Sequence, residues 1–192
     1  MANYIRMRRP VGTYFFTVNV AQPGSWALVD QIDALRAAVW QTQRERPFYI
    51  DAMVVLPDHL HAVWTLPKGD ADYSTQWRLI KSRFAHGVGS DPARSASKRR
   101  KAELGIWQRR FWEHTIRDRS DYRAHVAYCW INPVKHGFVE RAVDWPHSSI
   151  HRDIKRGLVG SEYVGWVVPE GAAEGVHPTM GEGRVWGERA RG

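Results

Sequence analysis

Two histidines stand one residue apart in "LPDHLHAVWTLP" (residues 56–67), inside a run that is otherwise rich in Leu, Ala, Val and Trp. Side chains alternate across a strand, so His59, His61, Val63 and Thr65 share one face, while Leu60, Ala62, Trp64 and Leu66 share the other. The second set is a core face. The first presents two imidazoles at a spacing that could grip one metal ion, which then needs a third ligand. Further on, "YCWINPVKHG" (residues 128–137) holds Tyr128 and Asn132 four residues apart, one above the other on a helix face. A hydroxyl nucleophile one turn from an amide-oxygen ligand suits phosphoryl transfer: the metal neutralises phosphate charge while the phenol attacks. Each piece also has a plainer reading. His-x-His alone equally describes two solvent-facing histidines, and Tyr128 alone an ordinary buried tyrosine. Asn132-Pro133 equally describes the end of one helix and the cap of a short next one, with Pro133 at its first position and Gly137 beyond its end.

The elements that must position these residues follow from pattern. "GTYFFTVNV" (Gly12–Val20) is aromatic and β-branched, hence a strand. Ser25–Arg46 reads as a helix capped by Ser25, with Leu28, Ile32, Leu35 and Val39 at helical spacing. Phe48–Leu56 returns to strand, Pro57-Asp58 turns, and His59–Leu66 completes a hairpin. A helix is expected over Ser74–Val88, a mobile loop over Asp91–Gly105 with "KRRK" exposed, and a strand over Ile106–Ile116. Ser120 caps the last predicted helix, Ser120–Ile131. The order β-α-β-β-α-β followed by a helix predicts an α+β fold: a ferredoxin-like or RRM-like antiparallel sheet with helices on one face, plus a C-terminal catalytic helix. Residues 1–156 form this domain. Residues 157–192 carry 9 of the 16 glycines and predict a loosely ordered extension, with Tyr163 or Trp166 docking on the body.

The chain has 192 residues, 28 Lys+Arg against 20 Asp+Glu, and one cysteine, Cys129. No intramolecular disulfide can form and a cysteine-rich zinc site is excluded. The basic surplus between Gln76 and His125 equals the formal charge of the whole chain, +8. Localised positive charge points to a polyanionic partner, nucleic acid or an acidic membrane surface. The N-terminus lacks the apolar stretch of a signal peptide and no run reaches membrane-spanning length, so a cytoplasmic protein, nucleoid-associated when bound to DNA, is expected.

The combination of motifs resembles the single-tyrosine transposases of the HUH superfamily, and closely the REP-associated tyrosine transposases. The resemblance runs from Thr13 to Trp145 and rests on "LPDHLH", "WQRRFWEHTIRD" (Trp107–Asp118) and "YCWINPVKHGFVERAVDWPHSS" (Tyr128–Ser149). It implies His59 and His61 as metal ligands, Tyr128 as nucleophile and Asn132 as third ligand. The Cys129-Trp130 pair departs from the more polar residues that would be unremarkable there and leaves the motif intact.

The same resemblance implies a divalent metal, Mg²⁺ or Mn²⁺, and attack on single-stranded DNA to give a 5′-phosphotyrosine bond and a free 3′-OH. The DNA partner would be a hairpin, the folded REP palindrome, with a flanking single-stranded tetranucleotide. Arg6, Arg8 and Arg9, then Arg78, Lys81 and Arg83, then Arg109 and Arg110 are the candidate DNA contacts, and a monomer is slightly favoured over a homodimer. Three rivals stay open, one of them a domesticated transposase relative that acts on host repeats without moving itself. A non-catalytic nucleic-acid-binding protein on an RRM-like sheet would use the aromatics of "GTYFFTV", without the basic-Gly-aromatic-Gly pattern of such modules. A two-histidine phosphoesterase would want two His-x-Thr/Ser motifs, and only His59-Leu60-His61 is present.

Overall fold

In the computed structural model, which describes residues 12–89 and 105–163, four antiparallel strands form one sheet in the order β2-β3-β1-β4. The strands are β1 (Thr13–Asn19), β2 (Tyr49–Val55), β3 (His59–Thr65) and β4 (Trp112–Thr115). The helices are α1 (Ala27–Asp30), α2 (Ile32–Glu45), α3 (Tyr73–Val88), α4 (Arg119–Lys135) and α5 (Ile150–Lys155), with a 3₁₀ turn at Ala142–Asp144. This is the expected ferredoxin-like order. Arg6, Arg8, Arg9, the 91–104 part of the expected loop, Trp166 and most of the 157–192 extension lie outside the described residues. Tyr163 does meet the body, its ring centroid 5.4 Å from that of Trp130.

The sheet is covered on both faces. Strand alternation sends Tyr14, Phe16, Val18, Leu60, Ala62 and Trp64 toward α2 and α3, where Leu35, Val39, Trp77, Ile80 and Phe84 close the main core. Trp64 lies between Phe48 and Trp77, stacked on each at 4.1 Å. On the opposite face Phe15, Ala52, Val54 and Val63 pack against Val126, Tyr128 and Cys129 of α4. Helix α4 thus forms a third layer over the histidine face.

Four boundaries differ from expectation for local reasons. Ser25 accepts from the Ala27 backbone N–H, but the expected long helix breaks at Gln31 (φ −113°, ψ 33°) into α1 and α2. The expected strand over Ile106–Ile116 is interrupted. Trp107 bridges Val20 and Trp112 pairs with Thr17, so five steps along one strand face three along the other, and Arg109 and Arg110 stand in the excess, exposed to solvent. Ser120 is not the cap of α4: Asp118 accepts from the Asp121 N–H at 2.9 Å, one residue before the helix begins. The helix also does not stop at Asn132. It runs through Pro133, which has no N–H to return to Cys129, and ends in a Schellman turn with Gly137 at φ 70°. There Gly137 N–H donates to Val134 and Phe138 N–H to Pro133, both at 2.9 Å.

The β2 edge is closed by the chain itself. A backbone strap over 147–149 pairs along it: Val55 N–H donates to the His147 carbonyl at 2.9 Å and Ser149 N–H to the Met53 carbonyl at 2.8 Å. The Arg152 guanidinium then donates to the carbonyls of Ile50 and Asp51. A bulge falls at Asp51, between the Ile50–Trp64 and Ala52–Val63 pairs.

The helix boundary gives a direct test. Asp118→Ala should cost about 1 kcal/mol of stability, whereas Ser120→Ala, at an exposed site, should stay within ~0.5 kcal/mol. Denaturant unfolding followed by circular dichroism reads both.

Candidate active site

His59 and His61 are buried, 6% and 1% exposed, beneath α4, so they are not solvent-facing histidines. Their ring centroids are 5.1 Å apart. Each imidazole is held through Nδ1. His59 donates from Nδ1 to the Asp58 carboxylate at 2.7 Å, and Asp58 is itself fixed by the Gly24 N–H at 2.6 Å. His61 Nδ1 pairs with the Thr17 hydroxyl at 2.9 Å across the β1–β3 register. An Nδ1–H bound to a carboxylate fixes the ring and turns Nε2 away from that partner, the arrangement that orients metal-binding histidines. Burial would raise the Asp58 pKa, yet the hydrogen bonds from His59 and the Gly24 backbone, with the charge of His59, hold it below the ordinary carboxylate value.

Tyr128 and Asn132 arrive from α4 one turn apart. The Tyr128 ring lies 5.0 Å from His61 and 5.8 Å from Phe15. Asn132 is fully buried, and neither its amide oxygen nor its amide nitrogen has a hydrogen-bond partner. An unpartnered buried amide costs about 1–3 kcal/mol, so this one fits a ligand role better than a packing role. Two pinned imidazoles and an orphaned amide oxygen on facing elements therefore suit a divalent ion.

Two further residues come to this site that the sequence reading did not assign. The Lys135 ammonium lies 3.4 Å from the Tyr128 hydroxyl and 5.1 Å from its ring centroid. His136 sits 5.1 Å from His59. Both depend on α4 continuing past Pro133. The i, i+7 spacing of Tyr128 and Lys135 was the available signal, and the apparent helix stop concealed it.

Tyr122, the nearest other tyrosine, is committed elsewhere. Its hydroxyl donates to Asp51 at 3.2 Å, and burial with the adjoining Asp51 charge pushes its pKa up to about 12. Burial likewise raises the Asp51 carboxyl, against hydrogen bonds from Thr65 and Tyr122.

A second cluster flanks the site. Ligand atoms of His114, Asp121 and His125 all lie within 4.8 Å of one another, a spacing compatible with a divalent metal. The same carboxylate is also a structural clasp between β4 and α4. It accepts from His114 Nε2 at 2.8 Å, from the Arg117 N–H at 2.9 Å and from Arg117 Nε at 3.3 Å, and His125 Nδ1 lies 3.0 Å from its other oxygen. The arginine beside it supplies positive charge already. Burial would raise Asp121, but the bonds from His114 and the Arg117 backbone, and the charges of His114 and His125, hold it below its ordinary value. Burial pushes His125 down.

Of the candidate DNA contacts, Arg78, Arg109 and Arg110 are exposed. Arg83 is engaged with α2, donating to Thr42 Oγ1 at 2.7 Å and pairing with Glu45. Lys81 donates to the Gln108 carbonyl at 3.0 Å. Arg78, Lys81 and Arg83 belong to α3, across the sheet from Tyr128.

A sheet carrying a buried His-x-His under a helix that presents a tyrosine and an amide is the arrangement expected of a single-tyrosine HUH-type site. The chain is 47% identical over 174 residues to the REP-associated tyrosine transposase of Escherichia coli (strain K12), covering 91% of this chain and 98% of that one. It is 40% identical over 166 residues to a Haemophilus influenzae protein that bears the same name provisionally, covering 86% and 94%. A solved REP-associated tyrosine transposase bound to a REP hairpin superposes with a TM-score of 0.78 at 46% identity, covering 91% of this chain and 98% of that one. No family model matches the chain. The chain belongs to the REP-associated tyrosine transposases.

The clasp predicts a pH response. A carboxylate depressed below its unfolded value, near 3.8, adds stability that is present above that pH and lost as pH falls through the folded pKa. Asp121→Asn should therefore cost about 2 kcal/mol at pH 7 and lose less than the wild type on going from about pH 4 to pH 2, read by denaturant midpoints across pH.

Proposed function

We propose that this chain is a metal-dependent single-stranded DNA endonuclease and strand transferase that takes REP-type hairpins and cleaves beside them through a 5′-phosphotyrosine intermediate. The observation that carries this reading is the Tyr128 hydroxyl, held 3.4 Å from Lys135 on a ring that abuts His61. His59, His61 and Asn132 are the residues that would hold the ion. When bound, Mg²⁺ or Mn²⁺ supplies Lewis-acid polarisation of a phosphate.

The chain's own groups account for the rest. The Tyr128 hydroxyl gives its proton to solvent and its oxygen forms a bond to phosphorus in line with the departing 3′ oxygen; that P–O bond breaks, and the 3′ oxygen takes up a proton from solvent. Lys135 offsets the negative charge on the phenolate and on the phosphate it attacks. In the rejoining step the phenolate is the leaving group, and the same ammonium receives it. Burial of Tyr128, 7% exposed, limits hydrolysis of the intermediate by bulk water.

The solved relative bound to a REP hairpin supports hairpin DNA as the partner. Exposed Arg78, Arg109 and Arg110 are candidate phosphate contacts, with Lys81 beside Gln108, and a flanking tetranucleotide is the expected single-stranded element. A sheet-face RNA or DNA reader is disfavoured by Phe15, which is fully buried beneath α4. No helix among the described residues is long and apolar enough to cross a membrane.

Incubation with a labelled REP-type hairpin and Mn²⁺ should yield a denaturant-resistant protein–DNA adduct. Tyr128→Phe should lose the adduct and keep hairpin binding, while Tyr122→Phe keeps both; an adduct in Tyr128→Phe would overturn the assignment. Replacing His59 and His61 together with Ala should reduce cleavage at least ~100-fold with hairpin affinity within about threefold, because phosphate contacts dominate affinity. Unimpaired cleavage by the double variant would remove the metal site.

A further inference from the structure

Large apolar side chains left in water are few among the described residues: Trp26, Trp40, Tyr49, Phe138 and Leu158. Two of them touch each other beside the active site. Trp26, 51% exposed, and Phe138, 38% exposed, meet edge to face with ring centroids 6.1 Å apart. Phe138 then stacks with His136 at 6.1 Å, and His136 lies 5.1 Å from His59. A row of rings therefore leads from solvent to a residue of the candidate metal site.

Local structure fixes both ends of the row. Trp26 caps α1 through its backbone, accepting from the Val29 and Asp30 N–H groups, and Leu28 N–H donates to Pro57 just before the His-x-His strand. That leaves the Trp26 indole to point outward. Phe138 is the residue after Gly137 in the Schellman turn of α4, and it leans on Trp145 at 5.3 Å. The ammonium of Lys135, three residues before Phe138, stands at Tyr128. Aromatic faces next to a cationic phosphate-attacking centre match the chemistry of unpaired nucleotides, whose bases stack while their phosphates seek positive charge.

We infer that Trp26 and Phe138 form a stacking site for an unpaired DNA base adjoining the scissile phosphate. The inference rests on the proposed function and adds the element that reads the single-stranded flank. Phe138 is two ring contacts from His59 and Trp26 is three, so a base stacked there would lie on the side of the site that His59 occupies. Base–aromatic stacking tolerates any base, so this site supplies affinity and register for the flank, with sequence choice left to other contacts.

The test uses the full chain and two probes: a palindromic hairpin with a four-nucleotide single-stranded flank, 2-aminopurine replacing a flank base, and the same hairpin with no flank. Trp26→Ala and Phe138→Leu should each weaken binding of the flanked hairpin about tenfold, ~1.4 kcal/mol, and leave the flankless hairpin unchanged. The 2-aminopurine quenching seen on binding the wild type should diminish in both, and Trp26→Phe should retain it. Equal weakening on both probes, or no weakening on either, would overturn the inference. The adduct assay separates it from the broader reading. If Tyr128→Phe loses the adduct while Trp26→Ala keeps full flank preference, only the stacking site falls. If Tyr128→Phe keeps the adduct while Trp26→Ala loses flank preference, the nucleophile assignment falls and the stacking site stands.

Discussion

Two imidazoles buried between a sheet and a helix are costly unless each has a hydrogen-bond partner, and that constraint organises this molecule. Asp58 meets it from the turn that leads into β3 and Thr17 from β1, across the strand pair from His61. Because those partners lie on β1 and the β2–β3 turn, α4 can close over the histidines without supplying the Nδ1 partners itself. Tyr128 is thereby left to meet the His61 ring, with Asn132 buried one turn further along the same helix. Phe15 provides the surface on which this closure rests. Its ring meets His61 at 5.5 Å, Trp112 at 5.8 Å, His125 at 4.7 Å and Tyr128 at 5.8 Å. One apolar ring thus spaces His61, Tyr128 and the β4–α4 clasp.

The two faces of the sheet carry different duties. The α2–α3 face is dry and aromatic, centred on the Trp64–Trp77 stack, and supplies the apolar burial that holds the domain. The α4 face mixes apolar packing with buried Asp121, His125, His59, His61 and Asn132. Such polar density is tolerable only against a rigid partner, and the aromatic core behind the sheet provides one.

Much of this was legible in the sequence. The alternation over His59–Leu66 assigns each side chain to the face it occupies, since a period of two survives whatever the strand packs on. The Tyr128–Asn132 spacing assigns both to one helix face. Other features were not legible because they depend on competition between near-equal local signals. Asp118 and Ser120 are both good caps, and Asp118 prevails because Asp121 offers it an N–H while Ser120 is left exposed inside the helix. Pro133 reads as a stop, yet a proline in the last turn forfeits only its bond to Cys129, which the packed helix can sustain. The strand over Ile106–Ile116 has strand composition throughout, and no composition discloses that two arginines are looped out of register. His114 joins Asp121 and His125 only through the corner between β4 and α4, which spacing along one element cannot reveal.

The strap along β2 bears on how the protein lives among its own copies. An antiparallel sheet has two outer strands, and an uncovered one is a template for cross-chain β-pairing and fibril growth. Here residues 147–149 occupy backbone groups of β2, and Arg152 takes two more of its carbonyls. At the other border, β4 is only four residues long. Among the described residues the sheet therefore offers neighbouring copies a strapped edge on one side and a very short one on the other.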